Sequence, residues 1–467
     1  MQTMLINGAR TEAVSGATRC IDNPATREPA GIVSEGGVED LRRAVAAAQA
    51  AQPAWDRIAA AEKGRLLADV AARIRADADA LSALMTRETG SPLCESADCI
   101  SWAAACFESC GADLCAGHGQ SGLAPAQVIA ALGSFYFPML LLASSVAPAL
   151  AAGNAVVCKP PPQTALSNLK LAEAYEGLPP GVVNVTTGGP EVDRALMGEP
   201  EVALITWAGP RSASLEVARG AGFGRLHFEA GATGPAIVLQ DADLELAVPG
   251  VAWERLRRCG QDGATGRRIY VHASRAAEFA DRIHEYVAFL EVGDPIKPDT
   301  DLGPLISLEA ARRLEAQVAH AAKEGARLKL GGRCFSPWGL PGHFFQPTIL
   351  TDVRPGSAAV REEMFGPVLL IIPVASAEEA LRFALDDGPS FTASVYTSAP
   401  ARALQILESS GREARWMPAE ASGPEASIAG GRPRWQPPAQ AQFEHVLVRK
   451  PWWFPYRDRR PCPPSTP

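Results

Sequence analysis

Residues 155–207 read AVVCKPPPQTALSNLKLAEAYEGLPPGVVNVTTGGPEVDRALMGEPEVALITW. Three short apolar runs, AVVCK (155–159), VVNVTT (182–187) and ALITW (203–207), alternate with segments of helical character, one beginning near Thr164 and a shorter one between 187 and 203. RLHFE (225–229) extends the series after a helix predicted from Ser212. Short strands separated by helices form βα units, and right-handed crossovers bring each strand back beside its predecessor in a parallel sheet covered on both faces. The expected fold class is therefore α/β.

Upstream, Glu39 to Ala51 and Glu62 to Met85 carry apolar residues at helical spacing, as with Leu67, Val70 and Ile74, and charges on the other face. Downstream, a second α/β region begins near PAIVLQDAD (235–243) and includes the strand candidates RIYVH (268–272) and ASVYT (393–397). Two lobes are implied. From Ser409 the chain turns rich in Gly, Pro, Ala and Arg without clear periodicity. The tail FEHVLVRKPWWFPYRDRR (443–460) offers one strand and an aromatic group at Trp452, Trp453, Phe454 and Tyr456.

The chain has 467 residues, 47% of them hydrophobic, enough for about two or three domains with their own cores. A net charge of −8 provides no basic field for nucleic acid. The N-terminus MQTMLINGARTEAVSG lacks a secretory pattern, so a cytoplasmic location is expected. The most apolar run, Met139 to Val157, is interrupted by Ser144, Ser145, Pro148 and Asn154 and reads as a buried helix entering a strand rather than a membrane span. Ten cysteines without a secretory signal are expected to be free thiols. Cys94, Cys99, Cys106, Cys110 and Cys115 cluster, and Cys99, Cys106 and Cys110 share one helix face. CxxC spacing with nearby histidine is missing, which favours core packing over a metal site. GxSxG, HExxH and P-loop motifs are absent.

Several segments taken in order, INGARTEAVSG, IDNPATREPAG, VAPALAAGNAVVCKP, FEAGATGPAIVLQDADLELAV, LEVGDPIKPDTDLGPLIS and FQPTILTDVRPGSAAVREEMFGPVL, resemble the aldehyde dehydrogenase superfamily, from about residue 4 to about 400. The resemblance implies two Rossmann-like α/β lobes with a small, here shortened, oligomerisation hairpin. On it, residues 1–112 and 136–231 form a dinucleotide-binding-like lobe and 232–429 a catalytic-like lobe. Residues 113–135 and 430–467 form the arm and the C-terminal tail. It also implies chemistry in which a thiolate attacks the aldehyde, hydride leaves to NAD or NADP, and a carboxylate activates water.

This chain departs from that pattern where the chemistry would be. The family loop Gly-Gln-x-Cys corresponds to Gly260-Gln261-Asp262-Gly263, so Gly263 stands at the nucleophile position. Tyr136 in GSFYFP stands where the family has an oxyanion-binding asparagine. HFEAG keeps the general-base glutamate as Glu229. On the cofactor side KPPPQT keeps Lys159 but places Pro162 at the ribose-binding acid, and WAGPRS keeps Gly209 but has Pro210 in place of serine, beside Arg211. Glu363 and Phe365 match the family residues at the nicotinamide ribose.

The reading adopted is a catalytically degenerate member that serves as a structural, regulatory or binding subunit. It would bind NAD or NADP weakly or not at all and form a homo-oligomer or a hetero-oligomer with an active aldehyde dehydrogenase. The alternative is an active NAD(P)-dependent oxidoreductase with Cys259 as a displaced nucleophile, whose thiol pKa Arg257, Arg258, Arg267 and Arg268 could lower, although arginines flanking a loop are more commonly solvated or bound to carboxylates. Four residues separate Cys259 from the family position, so that route requires a remodelled loop.

Overall fold

AVVCK is apolar on both sides of its pleat, and it lies inside a sheet: Ala155, Val157 and their neighbours face one core while Val156 and Cys158 face another. The computed structural model describes residues 1–117, 124–125, 127–209, 217, 225–230, 235–262, 268–362, 364–386, 392–399, 401–402, 405–406, 413–417 and 447–448. Among these, the strands in chain order are β1 (Met4–Ile6), β2 (Ala9–Thr11), β3 (Thr18–Asp22), β4 (Pro29–Ser34), β5 (Ala124–Pro125), β6 (Val128–Leu132), β7 (Ala155–Lys159), β8 (Val183–Val185), β9 (Leu204–Gly209) and β10 (Arg225–Ala230). The second region contributes β11 (Ala236–Val238), β12 (Arg268–His272), β13 (Arg327–Leu330), β14 (Thr348–Thr351), β15 (Val368–Val374), β16 (Thr392–Tyr396), β17 (Glu413–Met417) and β18 (Leu447–Val448).

Two seven-stranded sheets result, ordered β10-β9-β6-β7-β8-β1-β2 and β13-β14-β15-β12-β11-β16-β17. In the first, β6 to β10 run parallel, β1 joins antiparallel to β8, and β2 lies antiparallel to β1 at the edge. In the second all neighbours are parallel except β13 on β14. The expected α/β class with parallel sheets is thus the observed one. Helices α1 (Val38–Asp56), α2 (Ala60–Ala76), α3 (Ala78–Thr89), α4 (Leu93–Cys115), α5 (Pro138–Ala151), α6 (Ala165–Leu171) and α7 (Pro190–Met197) belong to the first lobe. Helices α8 (Leu244–Leu256), α9 (Ala276–Ala288) and α10 (Leu308–Lys323) belong to the second.

Three elements differ from the sequence expectation. The helical run 62–85 divides at Asp77, whose φ of −105° and ψ of 14° leave the helical region and separate α2 from α3. Val128–Leu132, grouped with the arm from sequence, lies between β9 and β7 in the first sheet, its residues buried on both faces. Glu413–Met417, within the stretch that shows no periodicity, pairs in parallel with β16, because an edge strand takes its register from its neighbour's backbone.

Met139 to Val157 is the buried helix α5 running into β7. No helix among the described residues is long and apolar enough to cross a membrane. Cys99, Cys106 and Cys110 are buried on one face of α4, in the core shared with α5 and the first sheet. Cys94 and Cys115 are exposed. The two-residue strand β5 pairs antiparallel with β18. The aromatic residues 452–456 lie outside the described residues.

Candidate functional site

In an open parallel sheet, ligands settle beyond the carboxyl ends of the strands where the strand order reverses. In the first sheet β6, β7 and β8 step one way and the chain then crosses back to lay β9 on the other side of β6, so the reversal falls between β6 and β9. The segment leaving β6, Gly133 to Phe137, passes over that crevice into α5, with Pro138 at the first helical position.

Tyr136 is 6% exposed and packs edge-on against Phe135, Phe137 and Phe365, with ring centroids 6.3, 5.9 and 6.1 Å away. Phe135 meets Phe365 edge-on as well, at 5.6 Å. Phe365 belongs to the Met364-Phe365-Gly366-Pro367 turn of the second lobe, so these rings join the lobes.

Facing it is the loop that follows α8. Arg258, Cys259 and Gly260 all have positive φ, at 53°, 55° and 66°. The geometry is imposed by a close approach: a Cβ on Gly260 would lie 2.0 Å from the carbonyl oxygen of Gly366. Gln261 ties the loop down, its Oε1 accepting from Ile306 N at 2.9 Å. Gly260 therefore seats the loop on the Gly366–Pro367 turn, and Gln261 fastens it to the segment at Ile306.

Cys259 points away from the cleft, into the second-lobe core with Leu305, Leu314 and Met364, and is 1% exposed. Burial pushes its thiol pKa strongly up, and the nearby Glu95 carboxylate pushes it further in the same direction. The flanking arginines do not activate it. Arg257 holds the buried Asp262 carboxylate, with Nε donating to Oδ2 at 2.5 Å, and its guanidinium stacks over Trp253 at 4.9 Å. Arg258 stacks over Phe137 at 4.5 Å while its backbone N donates to Glu95 Oε2 at 2.6 Å. Gly263 and Arg267 lie outside the described residues, and Arg268 is buried on β12.

Lys159 ends β7 on the crevice side, its carbonyl accepting from Gly133 N at 3.2 Å. Its side chain is 2% exposed and its Nζ lies 2.8 Å from Asp193 Oδ1 on the first turn of α7. Pro162 opens the short 3₁₀ turn Pro162–Thr164 and supplies neither acid nor N–H. Gly209 is the last residue of β9, paired with Ala230 of β10, and Glu229 lies on β10 opposite Ala208. The side chain of Glu229, and Pro210, Arg211 and Glu363 altogether, lie outside the described residues.

Of the residues singled out from sequence, the fold therefore brings Tyr136 and Phe365 together, places Lys159 at the same edge and sends Cys259 elsewhere. Sequence reading missed Asp193, Glu95 and Phe137. Asp193 left a signal, an acid in the first turn after Gly188-Gly189-Pro190, but its partner is 34 positions away in sequence.

A two-lobed α/β protein with a dinucleotide-type crevice facing a glycine-glutamine loop is the class this geometry defines. Residues 12–414 match the aldehyde dehydrogenase family model, and the chain belongs to that family. It is similar to lactaldehyde dehydrogenase from Escherichia coli, with 31% identity over 89% of this chain and 90% of that one and a TM-score of 0.84. It is also similar to PnpE from Pseudomonas sp. WBC-3, at 30% identity over 89% of each chain and a TM-score of 0.83. A betaine aldehyde dehydrogenase from Staphylococcus aureus, solved in complex with NAD+, is 28% identical over 89% of this chain and 87% of its own, with a TM-score of 0.84.

The described residues do not fit the family's way of holding a dinucleotide. Lys159 is already engaged by Asp193, and Pro162 has no group to offer a ribose.

Proposed function

We propose that this chain is an aldehyde dehydrogenase-family protein without the family's oxidation chemistry, acting as a structural, regulatory or binding subunit in a homo-oligomer or beside an active aldehyde dehydrogenase. The observation that carries this reading is Cys259: the one cysteine of the loop is buried in the core with its thiol pKa raised, while the family's nucleophile position holds Gly263. A buried, protonated thiol is a poor nucleophile. The aromatic packing of Tyr136 and the engagement of Lys159 support the same reading.

Dinucleotide binding is expected to be weak, in the millimolar range, since each lost charge-assisted hydrogen bond at Pro162 and Pro210 costs roughly 1.5–3 kcal/mol. The test is an assay of the purified protein with short, long-chain and aromatic aldehydes and either NAD+ or NADP+. No turnover is expected. Turnover that survives purification and disappears in Cys259→Ser would overturn the reading and establish the displaced nucleophile. Gly263→Cys alone is expected to restore little, because Tyr136 and the prolines remain.

A further inference from the structure

Two aromatic side chains of the second lobe stand almost wholly in solvent, linked through one carboxylate. Phe289, which follows α9, is 89% exposed, and Trp338 is 80% exposed. After Phe289 the chain alternates: Leu290 and Val292 pack against the core that α9 covers, and Glu291 turns outward. Glu291 Oε1 accepts from the indole Nε1 of Trp338 at 2.7 Å, which fixes the indole on the segment that carries Phe289. A Cβ on Gly293 would stand 3.6 Å from Trp338 Cδ1, so the ring lies along that same segment.

The backbone is unfavourable for holding a tryptophan there. Trp338 has a φ of 52° and Gly339 one of 78°, in the turn Pro337–Gly339 that Leu340 N closes on Pro337 O at 2.9 Å. A bulky residue in the left-handed region is disfavoured, and glycine would suit the position better. Burial of the ring does not offset this, because Pro337 is the buried member of the turn and the indole stands in solvent. A ring so exposed lines no pocket for a small molecule, whereas tryptophan is enriched at the centres of protein interfaces. The indole N–H is already given to Glu291, which leaves the π-face. Carboxylates dominate the segment beneath it: residues 289–301 hold Glu291, Asp294, Asp299 and Asp301 against Lys297 alone, and Asp301 Oδ2 accepts from Glu291 N at 2.8 Å. An aromatic face beside carboxylates is complementary to a guanidinium, which stacks on the ring and pairs with the acid at once.

We infer that Phe289, Glu291 and Trp338 form a docking surface for an arginine-bearing segment of a partner protein. The guanidinium lies on the indole and faces Glu291, and an apolar residue next to the arginine lies on Phe289. This surface is separate from the loop after α8, so aldehyde turnover would sink the inactive-subunit reading and leave the inference standing.

The test is calorimetric titration of the full chain, at low ionic strength, with the acetylated and amidated peptide Gly-Arg-Leu-Arg-Gly and with the same peptide carrying citrulline for arginine. The wild type is expected to bind the arginine peptide at least about tenfold more tightly than the citrulline peptide. Trp338→Gly and Glu291→Gln are each expected to weaken the arginine peptide by about tenfold. Trp338→Gly suits the φ of the turn, so it is expected to unfold at no lower temperature than the wild type. Equal binding of the two peptides, or no binding by the wild type up to several millimolar, overturns the inference. So does a Trp338→Gly variant that binds like the wild type, which would leave only net charge as the attraction, or one that loses thermal stability, which would assign the ring to its own fold. A light-scattering mass that falls in Trp338→Gly would assign the patch to a second copy of this chain and overturn it as well.

Discussion

Glu88, near the end of α3, sits fully inside the first lobe. Its Oε1 accepts from the backbone N of Ser167 at 3.1 Å and from the Ser167 hydroxyl, while Oε2 has no hydrogen-bond partner. Burial raises its pKa from 4.5 to about 8, against the opposing effect of the Ser167 bonds. The folded state therefore holds a proton that the unfolded chain releases above pH 4.5, and stability must fall as pH rises from about 4.5 toward 8. The contribution is on the order of 4 kcal/mol across that window. Glu88→Gln, which cannot ionise, is expected to flatten the pH dependence of the unfolding free energy between pH 5 and 8. A denaturant titration series that shows equal slopes for both proteins would contradict this. Thiol reactivity supplies the second residue-scale prediction. Cys20, Cys94 and Cys115 are exposed whereas Cys259 is buried with a raised pKa, so iodoacetamide should label the first group at least about a hundredfold faster. Mass spectrometry of the native protein that finds Cys259 among the first labelled sites would show the loop opens.

At the scale of the element, the turn after α8 is governed by space. Three successive residues in the left-handed region cost strain unless the surroundings enforce them, and only the last is glycine. Gly260→Ala would add a Cβ in direct collision with Gly366 and at a disfavoured φ. The φ penalty alone is roughly 1–3 kcal/mol, and the collision with backbone adds to it. Thermal unfolding should show a large drop in Tm, and a variant as stable as wild type would mean that the turn is not seated on Gly366. The helix pair α2 and α4 depends on the same kind of approach: a Cβ on Gly64 would stand 2.7 Å from Gly111 O. That contact lets the cysteine-bearing face of α4 reach the core, where Cys99, Cys106 and Cys110 pack as small apolar groups.

For the molecule as a whole, the question is what holds the lobes together. Leu93 N donates to Pro295 O at 2.9 Å, His343 N to Pro24 O at 2.9 Å, and Arg258 N to Glu95. Between these bonds the rings of Phe135 and Tyr136 meet Phe365, and both Arg257 and Arg258 stack on Phe137, at 5.3 and 4.5 Å. Phe137→Ala is expected to cost about 3–5 kcal/mol, typical of a buried ring, and to split calorimetric unfolding into separate transitions of the lobes. A single, merely shifted transition would indicate that the backbone bonds suffice. Deleting residues 450–467, which hold the aromatic tail, is expected to lower the mass measured by light scattering with the helical circular dichroism intact. Unchanged mass with lower thermal stability would instead assign the tail to its own chain.

The sequence by itself determined the parallel α/β architecture, because strands buried on both faces must be apolar throughout, as AVVCK is, and the helices between them must be amphipathic. It also determined that Gly263 carries no thiol, Pro162 no acid and Pro210 no N–H, since these are properties of the residue itself. What only the tertiary structure decided are the pairings. Lys159 looked like a cofactor ligand, but the reach of α7 brings Asp193 onto it. For Cys259 the sequence left open whether its neighbouring arginines activate a thiol or pair with carboxylates; a left-handed turn buries the thiol beside Glu95, Arg257 pairs with Asp262 and Arg258 stacks on Phe137. The strand Val128–Leu132 is short and could not declare its place, because strand neighbours are chosen by backbone hydrogen bonds to residues far away in the chain. Composition and spacing report on what a residue can do; charge partners and burial depend on which distant segments the fold brings within a few ångströms.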